Sequence, residues 1–191
     1  DDQKVLEFIN SNDLDRLAPM GTSCPDHFLR TKISPLVLGL TPAQDLSDVA
    51  SIKASIAPQF DAYREMYTAY YDACKHPNSP ALRDPNPVVI LYPGVGMFTF
   101  AKDKSTARVA AEFYINAINV MRTVREFERA GVSAVIFEDQ EVPKRCPCVA
   151  SVIEILPPEE SAAKIRAAVH ARQDPDLIIV ARTDAQTEEE A

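Results

Sequence analysis

Residues 132–146 read VSAVIFEDQEVPKRC, and residues 177–185 read LIIVARTDA. Each opens with an apolar, β-branched run, Val132–Phe137 and Leu177–Ala181, with the length and composition of a buried strand. Each run ends in polar residues: Glu138-Asp139-Gln140 after the first, Arg182-Thr183-Asp184 after the second. Between them, residues 158–172 read PEESAAKIRAAVHAR, where Pro158 suits a first helical position and Glu159–Arg172 continues as helix. Strand, helix and strand in that order specify parallel pairing with a right-handed crossover. Parallel pairing sends both polar ends out of one carboxyl edge, where ligands bind in barrels and open sheets alike. On adjacent strands the heads of Glu138 and Arg182 are expected about 5–10 Å apart, one to two strand spacings.

Working outward, Val88–Tyr92 reads as a further strand and Pro93–Gly96 as a turn. Ser105 can cap a helix. Ala107, Ala110, Ala111, Tyr114, Ile118, Met121, Val124 and Phe127 then form one apolar stripe, ending at Gly131, which suits a left-handed helix stop. No Gly or Pro interrupts the span, so one continuous helix is expected from about Ser105 to Ala130, roughly 39 Å at 1.5 Å per residue. As a crossover it would place Val88–Tyr92 and Val132–Phe137 parallel in one sheet. The fold class is α/β: a parallel β-α-β-α-β unit preceded by a mostly helical, Pro-rich N-terminal region. In that region Val5, Leu6, Phe8 and Ile9 mark a short helix, and Leu36–Leu38 a short buried strand. Pro58–Cys74 has helical spacing, with Phe60, Tyr63, Tyr67, Tyr70 and Cys74 three or four apart. Pro77, Pro80, Pro85 and Pro87 then enforce a loop.

Hydrophobic residues make up 46% of the 191 and charged residues 25%, the mix of a globular chain. The net charge is −8. Residues 1–122 hold 12 Lys/Arg against 14 Asp/Glu, and residues 123–191 hold 8 against 14, so the acidity sits in the second part. An acidic chain without a basic stripe argues against nucleic acid, whose phosphates demand neutralisation. The apolar runs are far shorter than the roughly 20 residues of a membrane span. Cys24, Cys74, Cys146 and Cys148 are too sparse for a disulfide framework, so free thiols in a cytoplasmic protein are expected. Only 5 glycines occur in 191 residues, against about 13 at ordinary usage; the glycine-rich loops of barrel enzymes are therefore expected to be missing or altered.

The chemistry expected at the carboxyl edge follows from its residue types. Carboxylates and one arginine converging there suit a hard cation together with an anionic substrate. In Pro143-Lys144-Arg145-Cys146 two adjacent cations would lower the thiol pKa, and a mobile, exposed loop carrying that cysteine could serve as acid, base or lid. Weaker signals have plainer readings. Cys146 and Cys148 lack further ligands for a metal pair. Gly94-Val95-Gly96 is a turn, because Thr99 stands where a third phosphate-loop glycine belongs. His27 is isolated and structural, and the tyrosine series is core or interface.

The blocks EDQEVPKRC, EESAAKIRAAVHAR and DPDLIIVARTDA resemble, in order, three blocks of the isocitrate lyase / phosphoenolpyruvate mutase superfamily. They are most similar to its methylisocitrate lyases and related lyases of branched dicarboxylic acids. The resemblance implies a partial (β/α)8 (TIM) barrel segment and retro-aldol carbon–carbon cleavage at a Mg²⁺ centre. It implies that Glu138 binds the metal's water shell and that Arg182 holds a substrate carboxylate. Lys144 and Arg145 would lie on the closing loop, and Cys146 would protonate the departing enolate. Three departures stand out: Pro147-Cys148 replaces the family's Gly-His, residues Val149–Glu154 fit poorly, and no Asp-x-Asp-x-Gly-like metal sequence lies upstream.

Upstream, LAPMGTSCPDHFLRTKISPL and RDPNPVVILYPGVGMFTFAKDKSTARVAAEFYINAINVMR resemble the aldolase-side portion of bifunctional rhamnulose-1-phosphate aldolase / short-chain alcohol dehydrogenases. That family's zinc-binding histidine cluster is not reached. The two resemblances meet inside Asn119–Thr123, which reads as a chimera or fragment with segments 1–122 and 123–191. The functional expectation is a piece of a Mg²⁺-dependent lyase acting on small 2-hydroxy or 2-oxo dicarboxylates, inactive as this isolated chain, with homo-oligomerisation left open. The alternatives are part of a sugar-phosphate aldolase/dehydrogenase, or a non-catalytic α/β remnant.

Overall fold

The computed structural model describes residues 3–22, 25–40, 47–141 and 154–185. Its central element is helix α5 (Lys104–Arg129), which runs unbroken for 26 residues. The cap is Asp103 rather than Ser105: its carboxylate accepts the Thr106 N–H at 2.7 Å, satisfying one of the helix's unpaired donors. At the far end Gly131 has φ 75°. Its N–H donates to the Glu128 carbonyl at 3.0 Å, and the Val132 N–H donates to the Phe127 carbonyl at 3.1 Å. This pair of bonds needs a left-handed residue, which glycine supplies without a Cβ clash. Where the two resemblances meet, the Thr123 hydroxyl donates back to the Asn119 carbonyl at 2.8 Å and the helix continues. The buried face is Ala110, Tyr114, Ala117, Ile118, Met121 and Val124. Of the expected stripe, Ala110, Tyr114, Ile118, Met121 and Val124 are buried and Ala117 joins them; Ala107 and Ala111 are half-buried and Phe127 is exposed.

Helices α1 (Gln3–Ile9), α2 (Leu14–Leu17) and α3 (Pro25–Thr31) precede strand β1 (Leu36–Val37). Helix α4 (Val49–Cys74) starts well before the expected Pro58, because the Asp48 carboxylate caps it, accepting from Ala50 and Ser51 N–H groups. Pro58 therefore sits inside the helix instead of opening it. Strand β2 (Val89–Tyr92) turns through Pro93–Val95 into β3 (Gly96–Thr99). After α5 come β4 (Ala134–Glu138), α6 (Pro158–Ala171) and β5 (Ile178–Arg182).

Among the described residues the strands form two separate sheets, which corrects the expectation of one parallel β-α-β-α-β sheet. Strand β2 is central in the order β1-β2-β3, parallel to β1 and antiparallel to β3. With β1 on one edge and the folded-back β3 on the other, β2 has no backbone edge left for β4. The second β-α-β part is as expected: β4 and β5 pair in parallel from Ala134↔Ile178 to Glu138↔Arg182. The fold of the described residues is thus mixed α/β with short parallel strands.

One core joins α1, β2, α5, β4 and α6. Phe8 and Ile9 of α1, Leu91 of β2, the α5 face from Tyr114 to Val124, Val135 of β4 and Ala168 of α6 belong to a single apolar cluster. A smaller cluster of Leu36, Tyr63 and Ile90 seats α4 on the first sheet, and the Tyr63 hydroxyl donates to the Ser34 carbonyl at 2.7 Å. Tyr63 and Tyr67 thus serve the core, whereas Tyr70 is exposed. On β4 and β5 alternation sorts the faces: Val135 is buried, while Ile136 and Ile178 are 64% and 58% exposed. No helix among the described residues is long and apolar enough to cross a membrane.

Tyr114 is 1% exposed, and its hydroxyl has no hydrogen-bond partner among the described residues. Burial pushes its pKa up. An unpaired buried hydroxyl is costly. Tyr114→Phe keeps the ring and removes the cost, so it is expected to raise stability by about 1 kcal/mol. Urea unfolding checks this; a Phe variant less stable than the parent would show that the hydroxyl is satisfied.

Candidate functional site

The carboxyl edge of β4 and β5 is built by register. Because Glu138 pairs with Arg182 at the last rung of the ladder, both side chains leave the sheet at the same height and on the same face. An Arg182 Nη1 lies 3.9 Å from Glu138 Oε2, closer than the expected 5–10 Å. The same guanidinium turns onward to Asp184, donating from Nη2 at 2.8 Å and from Nε at 3.2 Å to Oδ1. This hydrogen bond and the Asp184 charge raise the already high arginine pKa.

The other carboxylate oxygen of Asp184 and one oxygen of Asp139 are also engaged. Gln140 Nε2 donates to Asp184 Oδ2 at 2.5 Å, and the Asp184 N–H donates to Asp139 Oδ1 at 3.0 Å. Asp139 and Gln140 are buried. Their strand-end segment is held further by a bridge between Gln140 and Ile155 and by the Leu156 N–H donating to the Asp139 carbonyl at 2.7 Å. From α6, Lys164 Nζ donates to the Glu138 carbonyl at 2.6 Å. Burial lowers the Lys164 pKa, and the charges of Glu160, Asp139 and Glu138 oppose that shift.

Beside this network lies a cleft of about 450 Å³ lined by Asp139, Ser161, Arg166, Arg182 and Thr183 among others. Its size suits a small molecule. Arg166 and Arg182 both line it, and a guanidinium offers paired N–H donors of the kind a carboxylate accepts.

Of the site residues read from sequence, the structure brings Glu138 and Arg182 together. Lys144, Arg145 and Cys146, with the rest of the Lys144–Cys148 loop, lie outside the described residues. Asp139, Gln140 and Asp184 were legible as strand-end residues, but their mutual hydrogen bonds were not. Lys164 was missed: nothing in its helical spacing tells that its amine reaches a strand carbonyl. His27, read as structural, stacks on Phe113 with ring centroids 3.9 Å apart.

The Mg²⁺ implied by resemblance can be tested on the donor set. Among the described residues no group of three or more His, Cys, Asp or Glu converges to hold an ion. Both carboxylate oxygens of Asp184, Oε2 of Glu138 and Oδ1 of Asp139 already face an arginine, an amide or a backbone N–H. The described residues therefore do not fit a Mg²⁺ site.

Comparison with known proteins divides along the same chain. Residues 1–131 match the family described as aldolase class II, second domain, and residues 110–191 match phosphoenolpyruvate phosphomutase. The two matches overlap over residues 110–131, from within α5 to the glycine that ends it. The second part is 54% identical over 72 residues to the 2,3-dimethylmalate lyase of Eubacterium barkeri, covering 38% of this chain and 25% of that protein. It is 51% identical over 67 residues to the isocitrate lyase of Haloferax volcanii, covering 35% of this chain and 19% of that one. The first part is 32% identical over 122 residues to the uncharacterized oxidoreductase YuxG of Bacillus subtilis, covering 64% of this chain and 17% of YuxG. The chain thus spans a quarter or less of these relatives. It belongs to the aldolase class II, second domain family, and it carries in its second part a segment of the isocitrate lyase / phosphoenolpyruvate mutase superfamily.

Proposed function

We propose that the carboxyl edge of β4 and β5 is the acid-recognising end of a carbon–carbon lyase site for small 2-hydroxy or 2-oxo dicarboxylic acids. We further propose that this chain by itself does not turn over. The observation that carries the reading is Arg182, placed by strand register beside Glu138 and on the wall of a cleft that holds a second guanidinium, Arg166. The names of the lyase relatives support it, since dimethylmalate and isocitrate are both hydroxy acids with more than one carboxylate.

In such a cleavage the substrate hydroxyl loses its proton and the carbon–carbon bond breaks. The bonding electron pair passes into an enolate, and a proton returns to that carbon. Arg182 would orient a substrate carboxylate by exchanging Asp184 for it. Resemblance gives the returning proton to Cys146 and the loop around it to Lys144 and Arg145. Mg²⁺ would supply stabilisation of the enolate oxygen in a complete site; the described residues do not hold it. The proposed lack of turnover is supported by β4 and β5 forming, among the described residues, a two-stranded sheet that leaves Ile136 and Ile178 bare, since parallel strands are stable with both faces covered.

A coupled assay for the released oxo acid, with Mg²⁺ and 2,3-dimethylmalate, methylisocitrate or isocitrate, is expected to give no rate above buffer. Turnover abolished by Cys146→Ala would overturn the claim of inactivity. Titration with malate is expected to shift the Thr183 and Ser161 amide resonances saturably, and Arg182→Gln to remove the shift. Amides unmoved by malate would sink the di-acid reading. A second reading, aldolase-type chemistry on a ketose phosphate, is favoured by the match over residues 1–131. Cleavage of rhamnulose 1-phosphate by the chain would establish it.

A further inference from the structure

We infer that Arg182 is the built-in cation of this edge, and that its guanidinium closes the Glu138–Asp184 carboxylate pair to divalent metal. Three observations carry this. First, the guanidinium lies between the two carboxylates, at 2.8 Å from Asp184 and 3.9 Å from Glu138. A divalent ion bridging those oxygens would need the same space. Second, Asp184 is fixed from its other sides, by Gln140 on Oδ2 and through its own N–H to Asp139. It cannot swing away to a metal while leaving Arg182 behind. Third, Lys164 adds a second positive charge at the same strand end, hydrogen-bonded to the Glu138 carbonyl. A divalent ion would meet two cations at this strand end, and like charges repel.

The sequence-level roles of Glu138 and Arg182, metal shell and substrate anchor, are therefore exclusive of each other in the described chain. The two residues neutralise one another, and a metal can enter only where the guanidinium leaves. Removing Arg182 leaves two carboxylates facing a common point. That is the kind of oxygen set, completed by water, that Mg²⁺ and Mn²⁺ accept.

The test is a Mn²⁺ titration of the full chain, followed by water-proton relaxation, in wild type, Arg182→Gln and Arg182→Gln/Glu138→Gln. Wild type is expected to show no saturable binding at millimolar metal. Arg182→Gln should gain binding at least about tenfold tighter than wild type, and the second substitution should remove it. Saturable wild-type binding lost in Glu138→Gln would overturn the inference, as would an Arg182→Gln chain that gains nothing. Should Arg182→Gln fail to fold, the Arg182 Nε–H resonance decides. In wild type it should stay unmoved by millimolar Mg²⁺ and shift in Asp184→Asn; displacement by Mg²⁺ would show that the guanidinium yields to metal. A titration with metal alone contains no di-acid, so failure here leaves the di-acid reading standing, and failure of the malate titration leaves this inference untouched.

Discussion

Gly21→Ala is expected to lower stability by about 3 kcal/mol or to prevent folding. Gly21 follows a 3-10 turn at Ala18–Met20 and has φ 73° and ψ −131°, a conformation that L side chains rarely adopt. A Cβ there would fall 1.8 Å from the Ile33 carbonyl oxygen and 2.9 Å from its carbon. Both are backbone atoms just ahead of β1, so no side-chain rotation relieves the clash. The strand would have to move, and β1 is one of the two partners of β2. Gly131→Ala is the matched control. Its φ of 75° is equally left-handed, but a Cβ meets nothing within 4 Å, so the expected cost is only the conformational one, about 1–2 kcal/mol. Urea unfolding of both variants separates clash from strain. Equal losses in the two would mean that the Gly21 backbone can shift away from Ile33.

Ile118→Ala is expected to cost about 2–5 kcal/mol, the range for a buried Ile or Leu cut back to Ala where the core cannot collapse. Ile118 is completely buried on α5. Its cluster includes residues of α1 and β2 on one side, and of β4, α6 and the Leu177 position before β5 on the other. Polar ties run between the same parts. Arg125 lies 3.3 Å from Asp13, and the Gln173 amide donates to that carboxylate at 2.9 Å. Arg16 donates to the His170 carbonyl at 2.8 Å. Amide exchange in Ile118→Ala should therefore rise in β2 and β5 together, because one shared core makes one cooperative unit. Uniform protection across Ile115–Arg125 in the parent would accompany it. Faster exchange limited to one sheet would show that the two segments unfold separately.

The continuity of α5 was legible because helix formation depends on neighbours three and four residues away. Ala107 to Val124 keep phase, no Gly or Pro intervenes, and Gly131 stands where a left-handed stop belongs. The pairing of β4 with β5 was legible for a similar reason: a strand, a Pro-opened helix and a strand leave few right-handed choices. Even the shared edge of Glu138 and Arg182 followed from counting along two strands.

What needed the tertiary structure was everything decided by competition between distant groups. Whether β2 joins β4 depends on whether its edges are free. Residues Gly96–Thr99, which the sequence did not mark as a strand, take one by folding back, and the short strand Leu36–Val37 takes the other. The start of α4 turned on the Asp48 carboxylate outweighing the proline preference at Pro58. Whether Arg182 waits for a substrate carboxylate or binds its own depends on Asp184, two residues on and turned back toward it by Gln140 and Asp139. Sequence assigned the charges to one edge; only three-dimensional geometry decided that they face each other, because hydrogen-bond partners are chosen by distance and angle rather than by position along the chain.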